Sequence, residues 1–217
     1  MASTSVAEAS ADQVPLEQSS LGGGSLTRRR WRTVDIVVLS VVAVAGGVVF
    51  WGWSQLWTTT SGAFSAFPPA QAVMYGVWLA PGVVGGLVVR KPGAALYTEL
   101  VASMVEALLG SSWGLTVVAY GLAQGAAPEL VFAVFAYRWW RLPVPVLAGA
   151  AAGLAAATLD LVIYYGAWRG DWKLTYVALV VTSSAVVAGA GGTLLVRALA
   201  RTGVLQPFAS GRTMAPS

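Results

Sequence analysis

The stretch YGVWLAPGVVGGLVVRKPGAALYTELVASMVEALLGSSWGL, residues 75–115, contains two apolar runs joined by one short basic turn. The first run ends at Val89 and the second begins at Gly93. Neither run alternates apolar and polar residues, as a strand with one solvated face would. A membrane-spanning helix needs about 20 mostly apolar residues. We therefore interpret this stretch as two membrane helices connected by a tight turn.

The rest of the chain continues this pattern. Of its 217 residues 57% are hydrophobic and only 10% are charged, whereas a soluble domain carries about 25% charged residues. Glycine and proline inside apolar runs do not argue against helix, because both are tolerated in lipid. The predicted fold class is all-α, an integral membrane bundle of six transmembrane helices within a domain at 34–201. The six predicted segments are 34–56, 70–89, 93–110, 114–137, 143–166 and 174–200.

Both ends of the chain are predicted to be tails. Residues 1–27 are rich in Ser, Ala, Gly, Glu and Gln, a composition typical of disorder, and we predict a disordered cytoplasmic tail over 1–33. The apolar run after Arg32 is too long for a secretory signal and has no nearby small-residue cleavage site. Residues 202–217 are predicted to form a second, short cytoplasmic tail.

The basic residues predict the orientation of the bundle. With six crossings, eleven of the thirteen Lys and Arg residues fall on one face, and only Arg169 and Lys173 fall on the other. Basic loops are enriched on the cytoplasmic side of membrane proteins. We therefore predict a multi-pass protein of the cell membrane with both termini in the cytoplasm.

Several functional classes are disfavoured by what the sequence lacks. It has no Cys and no His, which removes thiol nucleophiles and the commonest metal ligand. Asp160 is the single intramembrane Asp, so an aspartyl pair is not expected and no enzyme activity, metal or cofactor is predicted. A channel would need polar residues along its whole path, and the cytoplasmic half has few. The sequence also lacks a GxxxxGK[ST] phosphate loop, so ATP hydrolysis is expected only in separate subunits.

Four carboxylic acids lie inside the apolar runs, at Glu99, Glu106, Glu129 and Asp160. Each costs at least about 2.5–3.5 kcal/mol to insert, and such residues normally face a cavity or a partner. Glu99 and Glu106 are seven residues apart and share one helix face. For Glu129, next to Pro128, hydrogen bonding between helices is the favoured interpretation. Glu99 is expected near the midplane, and Glu106 and Asp160 nearer the external end, so the polar groups concentrate in the outer half, which indicates a pocket open to the outside.

Aromatic residues surround this outer half. Carboxylates beside aromatic faces suit a flat nitrogen heterocycle, because carboxylates bind amino groups and ring nitrogens while the rings stack. Trp57, Trp168 and Trp172 are instead interpreted as a belt at the membrane interface. The predicted substrate-binding residues are Glu106, Glu99, Gln124, Tyr120, Trp78, Tyr75, Trp113, Asp160 and Tyr164.

Small residues mark a possible contact face on the first helix. Ala43 and Gly47 form a small-xxx-small pair, which allows close approach of another helix. Packing within the bundle and docking of a separate membrane protein are both open interpretations, and we predict partner docking.

Residues 75–115, together with YGLAQGAAPELVFAVF at 120–135, resemble the YkoE family of substrate-binding (S) components of energy-coupling factor (ECF) transporters. The shared features are the RKPGAA turn, the Glu-x6-Glu-x3-Gly spacing and the QGxxxE motif. The resemblance implies a six-helix substrate-binding subunit of an ABC-type importer for a thiamine-related vitamin or precursor, either hydroxymethylpyrimidine or thiamine. It also implies a transmembrane coupling (T) subunit and two cytoplasmic ATPase subunits as partners, and docking through small residues of the first helix. The alternative is a stand-alone proton-coupled carrier for a small heterocycle, with Glu99 and Glu106 as proton sites.

Overall fold

The computed structural model describes residues 30–212, and within that range every regular element is a helix. The predicted tails at 1–29 and 213–217 lie outside the described residues. Residues 31–212 belong to one compact unit. Its α-helices are α1 (Thr33–Thr60), α2 (Ala80–Val89), α3 (Ala94–Leu108), α4 (Thr116–Val134), α5 (Pro143–Ile163), α6 (Gly170–Ser184), α7 (Gly192–Arg201) and α8 (Ala209–Arg212).

Five helical stretches among the described residues are long and apolar enough to cross a membrane. They are Thr33–Phe64, Pro68–Val89, Thr116–Val134, Pro143–Ile163 and Gly170–Arg201. The remaining predicted crossing, 93–110, corresponds to α3, which has 15 residues and is shorter than the roughly 20 residues that a perpendicular span needs. The helical membrane architecture is therefore confirmed, whereas length alone supports five of the six predicted crossings.

Two of the predicted helices are not uniform α-helices. The segment before α2 is a 3-10 helix, Pro68–Leu79, although 3-10 runs beyond 3–4 residues are uncommon. A π-helical segment, Ala185–Gly191, separates α6 from α7. The 3-10 helix is bonded to the end of α6, next to the π-helical segment: Gly76 N donates to Ser183 Oγ at 3.1 Å, and Ser183 Oγ donates to Val73 O at 2.7 Å. Hydropathy cannot reveal these hydrogen bonds, because both segments remain apolar whichever type of helix they form.

The small residues of α1 pack inside the bundle. Ala43 has no exposed surface, and a methyl group added at Gly47 would lie 2.5 Å from Val105 Cβ on α3. The prediction that Ala43 and Gly47 form a partner-docking face conflicts with this placement, because α3 already occupies the groove that they leave. The outward face of α1 carries valines instead, among them Val41 and Val48.

One end of the bundle is held together by polar contacts. Asp35, at the start of α1, forms ion pairs with Lys91 and Arg32. Trp31 Nε1 donates to Pro92 O at 2.9 Å, which links the chain before α1 to the turn before α3. Arg90 lies in the same turn, where burial lowers the pKa of its guanidinium to about 10. At neutral pH this side chain is therefore still charged.

The segment after α7 belongs to this end of the bundle. Leu205, Phe208 and Ser210 are buried, and Ser210 Oγ donates to Val88 O at 2.9 Å. Arg32 Nη2 also donates to Pro207 O at 3.1 Å. Residues 202–212 of the predicted short tail at 202–217 therefore pack onto the bundle, with Leu205 and Phe208 buried and Ser210 bonded to the end of α2.

Candidate ligand-binding site

A cavity of about 210 Å³ lies at the opposite end of the bundle, between the end of α1, the 3-10 helix and helices α3 to α6. We call it the aromatic cavity. It brings together eight of the nine predicted substrate-binding residues. Its lining consists of Phe50, Trp57, Tyr75, Trp78, Ser103, Glu106, Trp113, Thr116, Val117, Tyr120, Gln124, Asp160, Tyr164, Tyr165 and Tyr176.

Glu106 lies in one wall of the aromatic cavity, on α3. It is only 3% exposed, and its Oε1 accepts hydrogen bonds from Ser54 Oγ at 2.7 Å and Ser111 Oγ at 3.3 Å. Both contacts use the same oxygen, and none of the hydrogen bonds found within residues 30–212 uses Oε2. Two hydroxyl groups thus orient the carboxylate and leave one oxygen for a further donor.

Asp160 occupies another wall, near the end of α5. Tyr120 Oη donates to its Oδ1 at 2.7 Å, and Tyr176 Oη donates to its Oδ2 at 2.7 Å. The carboxylate is buried and is clamped between α4 and α6. Each carboxylate oxygen can accept more than one hydrogen bond, so the clamp fixes Asp160 without using up its acceptor capacity.

A group of indole and phenol rings forms the apolar part of the cavity. The Trp78 ring lies 5.3 Å from Trp57, 5.5 Å from Tyr75 and 5.9 Å from Trp113, all in edge-to-face arrangements. Aromatic pairs prefer this geometry. Trp57, interpreted from the sequence as an interface-belt residue, therefore also lines the cavity: α1 continues to Thr60, and the Trp57 ring lies against Trp78.

Gln124 places its side-chain amide in the wall of the cavity. It is buried and lines the cavity, yet no hydrogen bond to its side chain is found within residues 30–212. An amide group has two donors and one acceptor oxygen. Gln124 therefore presents both kinds of polar group to whatever enters the cavity.

Glu99 is the one predicted site residue that does not line the aromatic cavity. It has no exposed surface, and its Oε2 accepts a hydrogen bond from Gly82 N at 2.7 Å. A methyl group at Gly82 would lie 2.9 Å from that oxygen, so α2 approaches too closely to leave space for a ligand. The shared helix face of Glu99 and Glu106 was correctly inferred, but the glycines of α2 cover the inner half of that face.

Glu129 has the structural role that its neighbourhood to Pro128 suggested. Its Oε1 accepts hydrogen bonds from Gly93 N at 2.6 Å and Tyr137 Oη at 2.5 Å. Its Oε2 accepts one from Ala95 N at 2.9 Å. These amides belong to the first turn of α3, where a negative charge also compensates the helix dipole. Glu129 thus caps α3 from the neighbouring helix.

Several lining residues have little signal in the sequence. Tyr165 and Tyr176 lie in the same region as the predicted aromatic group, and an aromatic count there could have included them. Ser103 and Thr116 could not have been found, because isolated hydroxyl residues are common in membrane helices.

Within residues 30–212 there is no cluster of three or more His, Cys, Asp or Glu side chains that could hold a metal ion.

A helical membrane bundle with a polar and aromatic cavity at one end is the architecture of a solute-binding membrane protein. Residues 34–155 match the family described as "ABC-type cobalt transport system, permease component". The chain is 33% identical over 187 residues to a protein of Bacillus subtilis (strain 168) named as an HMP/thiamine permease, YkoE. That alignment covers 86% of this chain and 93% of the relative.

A solved structure of an S component of an ECF transporter superposes with a TM-score of 0.82 at 33% identity. The superposition covers 85% of this chain and 93% of that one. The chain belongs to the YkoE family of substrate-binding S components of ECF transporters. It is accordingly a multi-pass membrane transport subunit and not a catalytic enzyme.

Proposed function

We propose that this S component binds thiamine or its hydroxymethylpyrimidine precursor in the aromatic cavity and presents it for import. The observation that carries the proposal is the pairing of two buried carboxylates, Glu106 and Asp160, with a group of aromatic rings. None of the described residues that line the cavity is basic. The lining therefore favours a ligand with amino groups or positive charge, and the name of the Bacillus subtilis relative is consistent with such a compound.

Each lining group has a role in this proposal. The free oxygen of Glu106 accepts a hydrogen bond from a ring amino group, and the Gln124 amide bonds the adjacent ring nitrogens. Asp160, oriented by Tyr120, serves the other end of the ligand. Trp78, together with Tyr75, Trp113 and Tyr164, supplies aromatic faces, which attract a cationic ring as well as a neutral one.

The volume of the cavity suits a small ligand. Pockets for drug-sized molecules span roughly 300–1,000 Å³, and the aromatic cavity is smaller at about 210 Å³. Most of its lining is apolar ring surface, so the hydrophobic effect contributes to binding while the few polar groups select the ligand. A compound of one or two heterocyclic rings meets both requirements.

For the topology, we propose six crossings with both termini in the cytoplasm of a cell-membrane protein. The short helix α3 runs along α1 from Lys91, paired with Asp35, to Glu106, which bonds Ser54. Asp35 and Ser54 are about 28 Å apart along α1 at 1.5 Å per residue. The bilayer core is about 30 Å thick, so α3 and its turn reach across nearly all of it.

Transport itself is proposed to require a transmembrane coupling subunit and two cytoplasmic ATPases, because S components belong to ECF systems. Because Ala43 is buried and α3 packs against Gly47, we propose that the coupling subunit contacts another surface of this chain. The bundle would capture its ligand from outside, and ATP hydrolysis in the partners would drive release inside.

Binding and transport can be separated experimentally. We expect the purified chain in detergent to bind thiamine or hydroxymethylpyrimidine by isothermal titration calorimetry. In proteoliposomes the chain alone should not accumulate either compound, whereas co-reconstitution with its coupling and ATPase subunits should give ATP-dependent uptake. Proton-driven uptake by the chain alone would instead establish the stand-alone carrier. Absence of binding to both compounds would contradict the proposed ligand class.

A further inference from the structure

The loop between α4 and α5, at the end of the bundle opposite the aromatic cavity, has an unusual backbone conformation. Its residues Ala136 and Tyr137 have φ angles of 52° and 55°, in the left-handed region that residues with a Cβ rarely adopt. Two consecutive residues of this kind persist only where the surrounding contacts hold them, and such strain is often associated with function.

Specific contacts hold this conformation. Tyr137 N donates to Phe132 O at 2.9 Å, and the Tyr137 hydroxyl donates to Glu129. Trp140 Nε1 donates to Tyr137 O at 3.1 Å, and its ring lies 5.1 Å from Phe132. Trp140 is therefore the anchor of the loop, and the residues on either side of it project from a fixed backbone.

The projecting residues are Arg138, Trp139 and Arg141. They line a groove of about 290 Å³ together with Trp140. The Trp139 side chain is 62% exposed. Within residues 30–212 neither guanidinium of this loop forms an ion pair or side-chain hydrogen bond, although Arg32 and Lys91 at the same end are both paired with Asp35. The loop thus presents two uncompensated positive charges beside an exposed indole.

We propose that loop 138–141 binds the phosphate of an anionic phospholipid headgroup, with Trp139 lying among the neighbouring headgroups. The loop joins two membrane helices and therefore lies at the level of the headgroups. A planar guanidinium binds phosphate oxygens through two parallel hydrogen bonds, and tryptophan is enriched at the membrane interface. The orientation proposed above places the loop at the cytoplasmic leaflet, which is rich in anionic lipids; the inference rests on that part of the proposed function.

The test compares lipid binding to the detergent-purified chain by native mass spectrometry. Dioleoylphosphatidylglycerol should bind the wild type more tightly than dioleoylphosphatidylcholine. The double variant R138Q/R141Q should bind phosphatidylglycerol on the order of tenfold or more weakly, because it removes both guanidiniums that bind the headgroup phosphate. The matched control R197Q/R201Q removes two exposed arginines from α7 and should retain the preference.

The proposal would be overturned by equal loss in both double variants, by equal binding of the two lipids to the wild type, or by inorganic phosphate competing as well as phosphatidylglycerol. If R138Q/R141Q bound lipid like the wild type but no longer bound the coupling subunit, the loop would be a protein contact. That result would also overturn the lipid proposal. Thiamine affinity should be unchanged in R138Q/R141Q. A wild type that prefers phosphatidylglycerol but binds no thiamine would contradict the ligand proposal and leave the lipid site standing.

Discussion

Glu106→Gln is expected to weaken thiamine binding by about 10- to 150-fold, measured by isothermal titration calorimetry on the purified chain. The substitution keeps the size of the side chain and an oxygen that Ser54 can still contact, but it removes the negative charge. A hydrogen bond to a charged group contributes about 1.5–3 kcal/mol, which corresponds to that range of affinity. The loss should be greatest for a ligand whose donor group carries positive charge.

Glu99→Gln is the matched control, because it makes the same chemical change seven residues earlier on α3. Glu99 does not line the aromatic cavity, and a glutamine oxygen can still accept the Gly82 amide. The affinity of the Glu99→Gln variant for thiamine should therefore stay near that of the wild type. An equal loss of thiamine affinity in both variants would show that Glu99 also contributes to binding. Wild-type affinity in Glu106→Gln would show that Glu106 does not bind the ligand.

The largest effect on stability is expected from Glu129→Ala. This change leaves the amides of Gly93 and Ala95 and the hydroxyl of Tyr137 without their common acceptor. A buried polar group that loses its partner costs about 1–3 kcal/mol; Ala95 is buried, whereas Gly93 and Tyr137 are half-buried and should contribute less. The midpoint of thermal unfolding in detergent should fall strongly, and the turn before α3 should become accessible to proteases.

Glu129→Gln provides the comparison for this effect. Glutamine has one carboxamide oxygen in place of two carboxylate oxygens, so it can retain only part of the cap and should lie between the wild type and Glu129→Ala. Ligand affinity of the folded fraction should change little in either variant, because Glu129 does not line the cavity. A wild-type unfolding midpoint in Glu129→Ala would show that the cap does not stabilise the bundle.

The sequence predicted the helical membrane fold because apolar run length is a direct consequence of the bilayer thickness. Predicted segments such as 143–166 agree with the observed α5, Pro143–Ile163, within a few residues. Hydropathy could not predict the 3-10 helix before α2 or the π segment after α6. The 3-10 helix, for example, is bonded to a distant part of the chain by the hydrogen bond from Gly76 to Ser183.

Depth along the helices predicted which carboxylates and aromatics lie together. Glu106, Asp160 and Trp78 line one cavity, and their role in ligand binding stays a prediction. What the sequence did not show is which face of a helix a residue presents. Glu99 and Gly47 both lie against neighbouring helices, and only the packing of α2 and α3 determines this. Periodicity along one helix does not contain that information.

A structure of the purified chain with thiamine bound would test the proposed site most directly. The ligand is expected in the aromatic cavity, with a donor group about 2.7–3.2 Å from a carboxylate oxygen of Glu106 or Asp160 and a ring against Trp78. Thiamine located outside the cavity, or inside it without contact to either carboxylate, would contradict the assignment.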